Sequence, residues 1–328
     1  KVPLNHRLTP QELKAALELA EVRAVVADES TAASLDEELA GVEGLVRIVM
    51  GSRNGWRSLR GLLAQASASP PDVTVQPDDP YHIRFSSGST GRAKGIVISH
   101  KAARSAMLGN TWAMSVSSPV DRPRTLQVAP LIYAGGWSVF PTLLRGGSNI
   151  VLSRFDADET LQVIREQAID WMFAVPTMLR RMSQSSALPS LQDAAISCLM
   201  LAGEPAAIPA LENVTQYTDS LAQSWGQTEA PASTTLLTRQ EMRRPELWSS
   251  IGRPIPGVEF SLFIDGEVVE QPVPGAVGEL AIRSQTIASA LLGAEEDYRR
   301  RLLDDGWWLT SDLAHFDDEG RIEIVGRA

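Results

Sequence analysis

The sequence predicts an α/β protein built on mainly parallel sheets flanked by helices, with a smaller β-rich, barrel-like subdomain near the C-terminus. Three observations predict it. Between Ser99 and Glu212, short apolar runs alternate with helical patterns at the spacing of strands joined by crossover helices. After Trp248 the helical patterning fades, and short strands follow one another between Gly, Pro and Asp turns. The 328 residues, 44% hydrophobic and 21% charged, suffice for one large domain or two ordinary ones with ample core. The division is expected at residues 1–248 and 249–328.

Taken in order, Thr9-Pro10-Gln11-Glu12 predicts a helix start: a Thr N-cap, Pro at the first helical position and Glu closing a capping box. Leu13, Ala16, Leu17 and Ala20 then fall on one helical face. Val22–Ala27 and Leu45–Met50 read as strands. Residues 54–79, rich in Ser, Pro, Ala and Gly, read as an exposed connection. An apolar run ending Ile83-Arg84-Phe85 and a second run, Ile96-Val97-Ile98, bracket a polar loop as two strands. Beyond it, strands are expected at Thr125–Ala129, Asn149–Ser153, Ile169–Val175 and Cys198–Ala202. Helices are expected at Gly136–Leu144, from the Asp156 cap to Gln167, at Pro176–Met182 and at Pro205–Glu212. Val258–Ile264, Glu279–Arg283 and Ile322–Val325 read as the strands of the β-rich part, with one helix at Glu295–Leu303.

Bulk properties exclude several functions. The net charge of −10 argues against general attraction to nucleic acid or to anionic membranes, so an anion must be held by a local site. No apolar run reaches membrane-spanning length, and no transmembrane segment is expected. The single cysteine, Cys198, sits in a strand pattern, which suits a reducing cytoplasm and a buried thiol rather than a nucleophile. The four histidines make no metal-ligand spacing.

Four stretches carry chemistry. Ser86-Ser87-Gly88-Ser89-Thr90-Gly91-Arg92-Ala93-Lys94-Gly95 offers hydroxyls, backbone N–H groups, two cations and glycines that let the backbone approach a ligand, a set suited to polyphosphate. It lacks the spacing of a Walker A loop and of a G-x-G-x-x-G dinucleotide loop, which disfavours a P-loop kinase or a dehydrogenase. Ala202-Gly203-Glu204-Pro205 forms a turn after a strand, where ligands of open α/β sheets gather. In Ser224-Trp225-Gly226-Gln227-Thr228-Glu229, an aromatic can stack on a base, a hydroxyl can bond a phosphate and a carboxylate can hold Mg²⁺. In Gly306-Trp307-Trp308-Leu309-Thr310-Ser311-Asp312, the aspartate is either a turn former or a bidentate acceptor for two ribose hydroxyls.

These strings resemble those of the adenylate-forming (ANL) superfamily: acyl- and aryl-CoA synthetases, luciferases and the adenylation domains of peptide synthetases. The loop departs by Ala93 where the family usually has proline, and Ser311 replaces the usual glycine of Gly-Trp-aromatic-x-Thr-Gly-Asp. Should the backbone require positive φ there, Ser311 would strain the loop by roughly 1–2 kcal/mol. The resemblance implies that residues 86–91 and Lys94 hold the β- and γ-phosphates and that Ala202, Gly203, Glu204 and Pro205 wall the adenine pocket. It also implies that Trp225 stacks on adenine with Gly226 beside it in the binding site, Thr228 contacts the α-phosphate and Glu229 binds Mg²⁺. Asp312 would hold the ribose. Arg327, in Gly320-Arg321-Ile322-Glu323-Ile324-Val325-Gly326-Arg327, would reach ribose or phosphate; a hairpin ending in an exposed arginine is the competing reading.

Ala129-Pro130-Leu131-Ile132-Tyr133-Ala134-Gly135-Gly136-Trp137 resembles the segment lining the family's acyl pocket, with Tyr133 and Trp137 as lining residues. Gly135 and Gly136 are expected either to leave room for the acid or to serve core packing. No aspartate stands nearby to hold an α-amine, so the acid implied is fatty, aryl or similar. The resemblance therefore implies ATP- and Mg²⁺-dependent activation of a carboxylic acid to an acyl-adenylate, with coenzyme A as acceptor. A carrier-protein acceptor and a nucleotide-binding module without turnover are the alternatives. The chain is expected to lack the family's first elements and its small C-terminal domain with the catalytic lysine.

Overall fold

The structure, a computed structural model, describes residues 1–5, 8–87, 93–231 and 233–328. They form two compact units, one of residues 1–100 with 288–298 and one of residues 101–287 with 299–328.

In the first unit, α1 (Pro10–Leu19) begins with the expected capping box, the Thr9 and Glu12 side chains reciprocally satisfying backbone N–H groups. Leu13, Ala16 and Leu17 are buried against α2 (Glu29–Leu39) and a parallel sheet of β1 (Ala24–Asp28), β2 (Val46–Met50) and β3 (Arg57–Ser58). The connection from residue 54 is more structured than its composition implies. Arg57 pairs with Ile48, the Trp56 indole donates to Asp36 at 2.7 Å, and α3 spans Leu59–Gln65. No residue of α3 is buried, so it leaves no apolar stripe to read. Residues 67–79 are exposed and irregular, as expected. Next, β4 (Pro80–Ser87) and β5 (Ala93–Ser99) form the antiparallel pair bracketing the polar loop. The far edge of β5 is covered by the sixteenth strand in chain order, β16 (Ala290–Leu292).

In the second unit, α4 (His100–Ser117) leads into a five-stranded parallel sheet. Its strands are β6 (Arg124–Gln127), β7 (Ser148–Val151), β8 (Trp171–Ala174), β9 (Cys198–Leu201) and β10 (Leu221–Gln223), in the order β10-β9-β8-β6-β7. β8, β9 and β10 are buried throughout, which is why they read as continuous apolar runs. Crossover helices include α5 (Val139–Leu144), α6 (Ala157–Glu166), α7 (Pro176–Ser183) and α8 (Ile208–Val214). The Asp156 side chain caps α6 by accepting from Glu159 N at 3.0 Å. Two helices differ from expectation. Residues 134–138 form a 3₁₀ turn ahead of α5, and α8 starts three residues after Pro205, which stays in the turn.

From residue 235 onward the remaining strands of this unit build a curled antiparallel sheet in the order β11-β12-β18-β17-β15-β13-β14. They are β11 (Thr235–Leu236), β12 (Ser250–Pro254), β13 (Val258–Ile264), β14 (Glu267–Val268), β15 (Gly278–Ser284), β17 (Trp308–Phe316) and β18 (Ile322–Arg327). Its core holds Ile251, Leu262, Leu280, Ala314 and Ile322. A short helix at residues 295–301 precedes β17. No described helix is long and apolar enough to cross a membrane.

Candidate functional site

In a parallel sheet every strand delivers the residue after its last rung to one edge, and here that edge receives three of the sequence motifs. The turn Ala202-Gly203-Glu204-Pro205 follows β9, Ser224-Trp225-Gly226-Gln227 follows β10, and Ala129 to Trp137 follows β6. Gly203 adopts φ +107°, a conformation open to glycine, and residues 203–205 are exposed. The β9–β10 ladder continues into the motif, Ser224 N donating to Leu201 O at 2.9 Å. Trp225 is pinned by its backbone: its N–H donates to Thr235 Oγ1 and its carbonyl accepts from Thr234. Its ring lies edge-on to Phe260, with centroids 5.8 Å apart, and packs on the core of the antiparallel sheet. Thr228 and Glu229 are half-buried, and neither side chain has a partner among the described residues.

Asp312, on β17, joins this group. It is 5% exposed, and both of its oxygens are engaged. Arg327 Nη1, its register partner on β18, lies 2.8 Å from Oδ1, and Gln227 Nε2 donates to Oδ2 at 3.0 Å. The Gln227 amide also donates to Thr310 O at 2.8 Å, which ties the Trp-Gly-Gln-Thr-Glu turn to β17. Burial raises the Asp312 carboxyl above the usual carboxylate range, although the Arg327 guanidinium and the Gln227 amide pull the other way. Arg327 is largely exposed, so the pair has one buried and one solvated end. Ser311 does adopt positive φ, +63°, its N–H held by Glu279 Oε1 at 2.8 Å.

The acyl-pocket segment is built differently from its composition. A Cβ on Gly135 or Gly136 would fall well inside contact distance of the Ala129 or Leu131 carbonyl oxygen, so both glycines serve close backbone packing. Trp137 stands edge-on to Trp171 and Phe173, at 6.4 and 5.5 Å, as a packing residue on the face of β8. Tyr133 is about half exposed.

In the first unit, Lys94 on β5 pairs with Asp297 at 2.7 Å, both side chains largely buried. Gly88, Ser89, Thr90, Gly91 and Arg92 lie outside the described residues, and Ser86 and Ser87 are placed by backbone alone. Sequence reasoning missed Gln227 and Asp297. Gln227 occupies the unspecified position of the aromatic-Gly-x-Thr-Glu pattern, and Asp297 sits among other charges in a short helix.

Two open clefts of about 340 and 450 Å³ lie elsewhere, flanking Thr218 and Asp219 just before β10 begins. That is the amino-terminal edge of the sheet, and Asp219 there is neutralised by Arg239 and Arg243. None of the motif residues lines either cleft. The carboxyl edge, where Gln227 holds the buried Asp312 and Glu229 follows two residues on, is therefore the candidate site.

Together the parallel sheet, its antiparallel companion and the residues gathered where they meet define a domain of the adenylate-forming class. The chain belongs to the AMP-binding enzyme family, which it matches over residues 1–292. It is 30% identical to feruloyl-CoA synthase of an Amycolatopsis species over 99% of this chain and 63% of the relative. It is 28% identical to 2-succinylbenzoate–CoA ligase of Bacillus licheniformis over 80% of this chain and 53% of the relative. Among solved structures it is similar to the amide bond synthetase McbA of Marinactinospora thermotolerans, with TM-score 0.84 and 26% identity over 97% of this chain and 63% of the other. An AMP complex of o-succinylbenzoate coenzyme A synthetase from Bacillus subtilis shares the fold, with TM-score 0.80 and 22% identity over 99% of this chain and 63% of the other. The chain thus spans 63% or less of the length of these relatives.

Proposed function

We propose that this domain uses ATP to activate a carboxylic acid, fatty, aryl or similar and without an α-amino group. The products are an acyl-adenylate and pyrophosphate, and in the full-length enzyme the acyl group passes to coenzyme A. The observation that carries the reading is the clamp on Asp312. A buried carboxylate held by Gln227 and by the exposed Arg327 is oriented at modest cost, since a pair with one solvated end is weak. A carboxylate has about four acceptor sites, so both oxygens can still accept from ribose hydroxyls.

The chemistry asks for positioning and charge neutralisation. A carboxylate oxygen of the acid attacks the α-phosphorus as the bond to pyrophosphate breaks; a thiolate then attacks the acyl carbon and AMP leaves. In this reading Asp312 orients the ribose, Trp225 and the turn from Ala202 to Pro205 enclose adenine, and Thr228 donates to the α-phosphate. Lys94 and the loop neutralise the outer phosphates. Mg²⁺ is commonly held by one or two carboxylates plus phosphates and water, and Glu229, without a protein partner among the described residues, suits it. When bound, that ion would offset the charge developing on the phosphates. The fully buried Cys198, whose thiol burial pushes up to about 12, is no nucleophile and suits a cytoplasmic setting.

The test is binding by this chain. AMP at a hundred times its Kd should stabilise the fold by about 2.7 kcal/mol. Asp312→Asn should abolish that shift. Because the folded carboxyl has a raised pKa, its ionisation costs stability as pH rises above the ordinary carboxylate range. The unliganded variant should therefore melt no lower than the wild type at pH 7. An AMP shift retained by Asp312→Asn, or none in the wild type, would refute the reading. Acid-dependent ATP–pyrophosphate exchange by the full-length enzyme, then thioester formation with coenzyme A beside a carrier protein, assigns acid and acceptor.

A further inference from the structure

Lys94 is not the only cation at the root of the polar loop. In the β4–β5 ladder Ser86 stands opposite Lys94 and Arg84 opposite Ile96, so Arg84 is the diagonal neighbour of Lys94 on one face of the hairpin. His82, opposite Ile98, follows on the same face. The two cations differ in their partners. The Lys94 ammonium is held by Asp297. Arg84 has its Nε buried without an acceptor, and it forms no ion pair or hydrogen bond with any described residue. His82 is 8% exposed, and its Nε2 is likewise buried and unpartnered. Burial, with help from the Arg84 charge, holds His82 neutral, so it adds no positive charge and balances none.

A guanidinium does not shed its proton in proteins, and taking one out of water without an anion is costly. The chain has 40 acidic residues to 30 basic ones, yet none of the described acids pairs with Arg84. A half-buried guanidinium without an anionic partner among the described residues, beside a phosphate-loop lysine, is a site prepared for an anion that arrives with a ligand. The resemblance assigns the Lys94 hairpin to the outer phosphates of ATP, the part that AMP lacks.

We propose that Arg84 is a further anion contact beside Lys94: from β4 it binds the β,γ-phosphates of ATP, and hence the pyrophosphate product. This rests on the nucleotide reading above. The experiment is titration calorimetry of the wild-type chain, Arg84→Gln and Arg84→Lys with MgATP, AMP and magnesium pyrophosphate, with melting curves of each. Arg84→Gln should weaken MgATP and pyrophosphate at least tenfold and leave AMP within twofold. Arg84→Lys should recover part of the loss. The melting temperature of Arg84→Gln should not fall, because no ion pair with a described residue is broken. Equal weakening of ATP and AMP, unchanged ATP affinity, or a lowered melting temperature with intact pyrophosphate binding would each overturn the assignment. If the wild type binds neither AMP nor ATP, the nucleotide reading itself falls and this one with it.

Discussion

Ser311 sits at φ +63° beside the carboxylate on which the site turns, and an L-residue there is held against its own sterics. Its N–H bond to Glu279 is a backbone contact that any residue would make. Ser311→Gly should therefore stabilise the fold by about 1 kcal/mol, the relief of roughly 1–2 kcal/mol less the greater entropy of glycine in the unfolded chain. A urea midpoint that moved down instead would mean that the Ser side chain contributes more than its backbone costs. The strain was legible in advance, because the motif specifies glycine and the sequence writes serine. The pairing of Asp312 with Arg327 joins two residues that the motifs single out, while the roles proposed for Thr228 and Glu229 rest on their motif positions. Gln227 was not: the motif leaves its position open, and its two hydrogen bonds go to residues more than 80 positions away. The packing role of Gly135 and Gly136 was also hidden, because it depends on which carbonyls lie behind them.

Strand β4 brings a buried titratable group into a sheet. His82 is pushed down to about 3, first by burial and then by Arg84, Lys1 and the N-terminal ammonium. Above pH 6.5 it is neutral folded or unfolded. Between 6.5 and about 3 the unfolded chain takes up a proton that the folded strand refuses, so stability rises with pH across that window and is lost on acidification. Urea melts at pH 7 and pH 5 should show a smaller acid loss in His82→Gln than in the wild type. The same loss in both would remove His82 as a source. At this scale the sequence was most readable where strands are buried on both sides and helices are capped, as in β8, β9, α1 and α6. It was least readable at α3, which buries no residue, and at the 3₁₀ turn, where tight backbone contacts override the helical pattern.

Across the whole molecule, the first unit is assembled from both ends of the chain. β16 closes β5 by pairing Leu291 with Ile96 and Leu292 with Gly95, and Asp297 reaches Lys94. Residues 1–100 expressed alone should then lose hydrogen-exchange protection in β5, and joining residues 288–298 through a flexible linker should restore it. Full protection in the shorter fragment would show that β16 is dispensable. The α/β class was legible because strand–helix alternation is a local pattern repeated many times. β16 was not, being three residues long and meaningful only beside a distant partner. That distance also sets a schedule for synthesis. The partners Lys94 and Asp297 are 203 residues apart in sequence, and ribosomes add roughly 5–20 residues per second, so the Ile96-Val97-Ile98 edge waits roughly 10–40 s for its cover. During that interval a β-branched, apolar strand edge is open to any neighbouring chain. The nascent protein is thus a foreseeable client of chaperones that shield strand edges, and slower translation between codons 100 and 290 would lengthen its exposure.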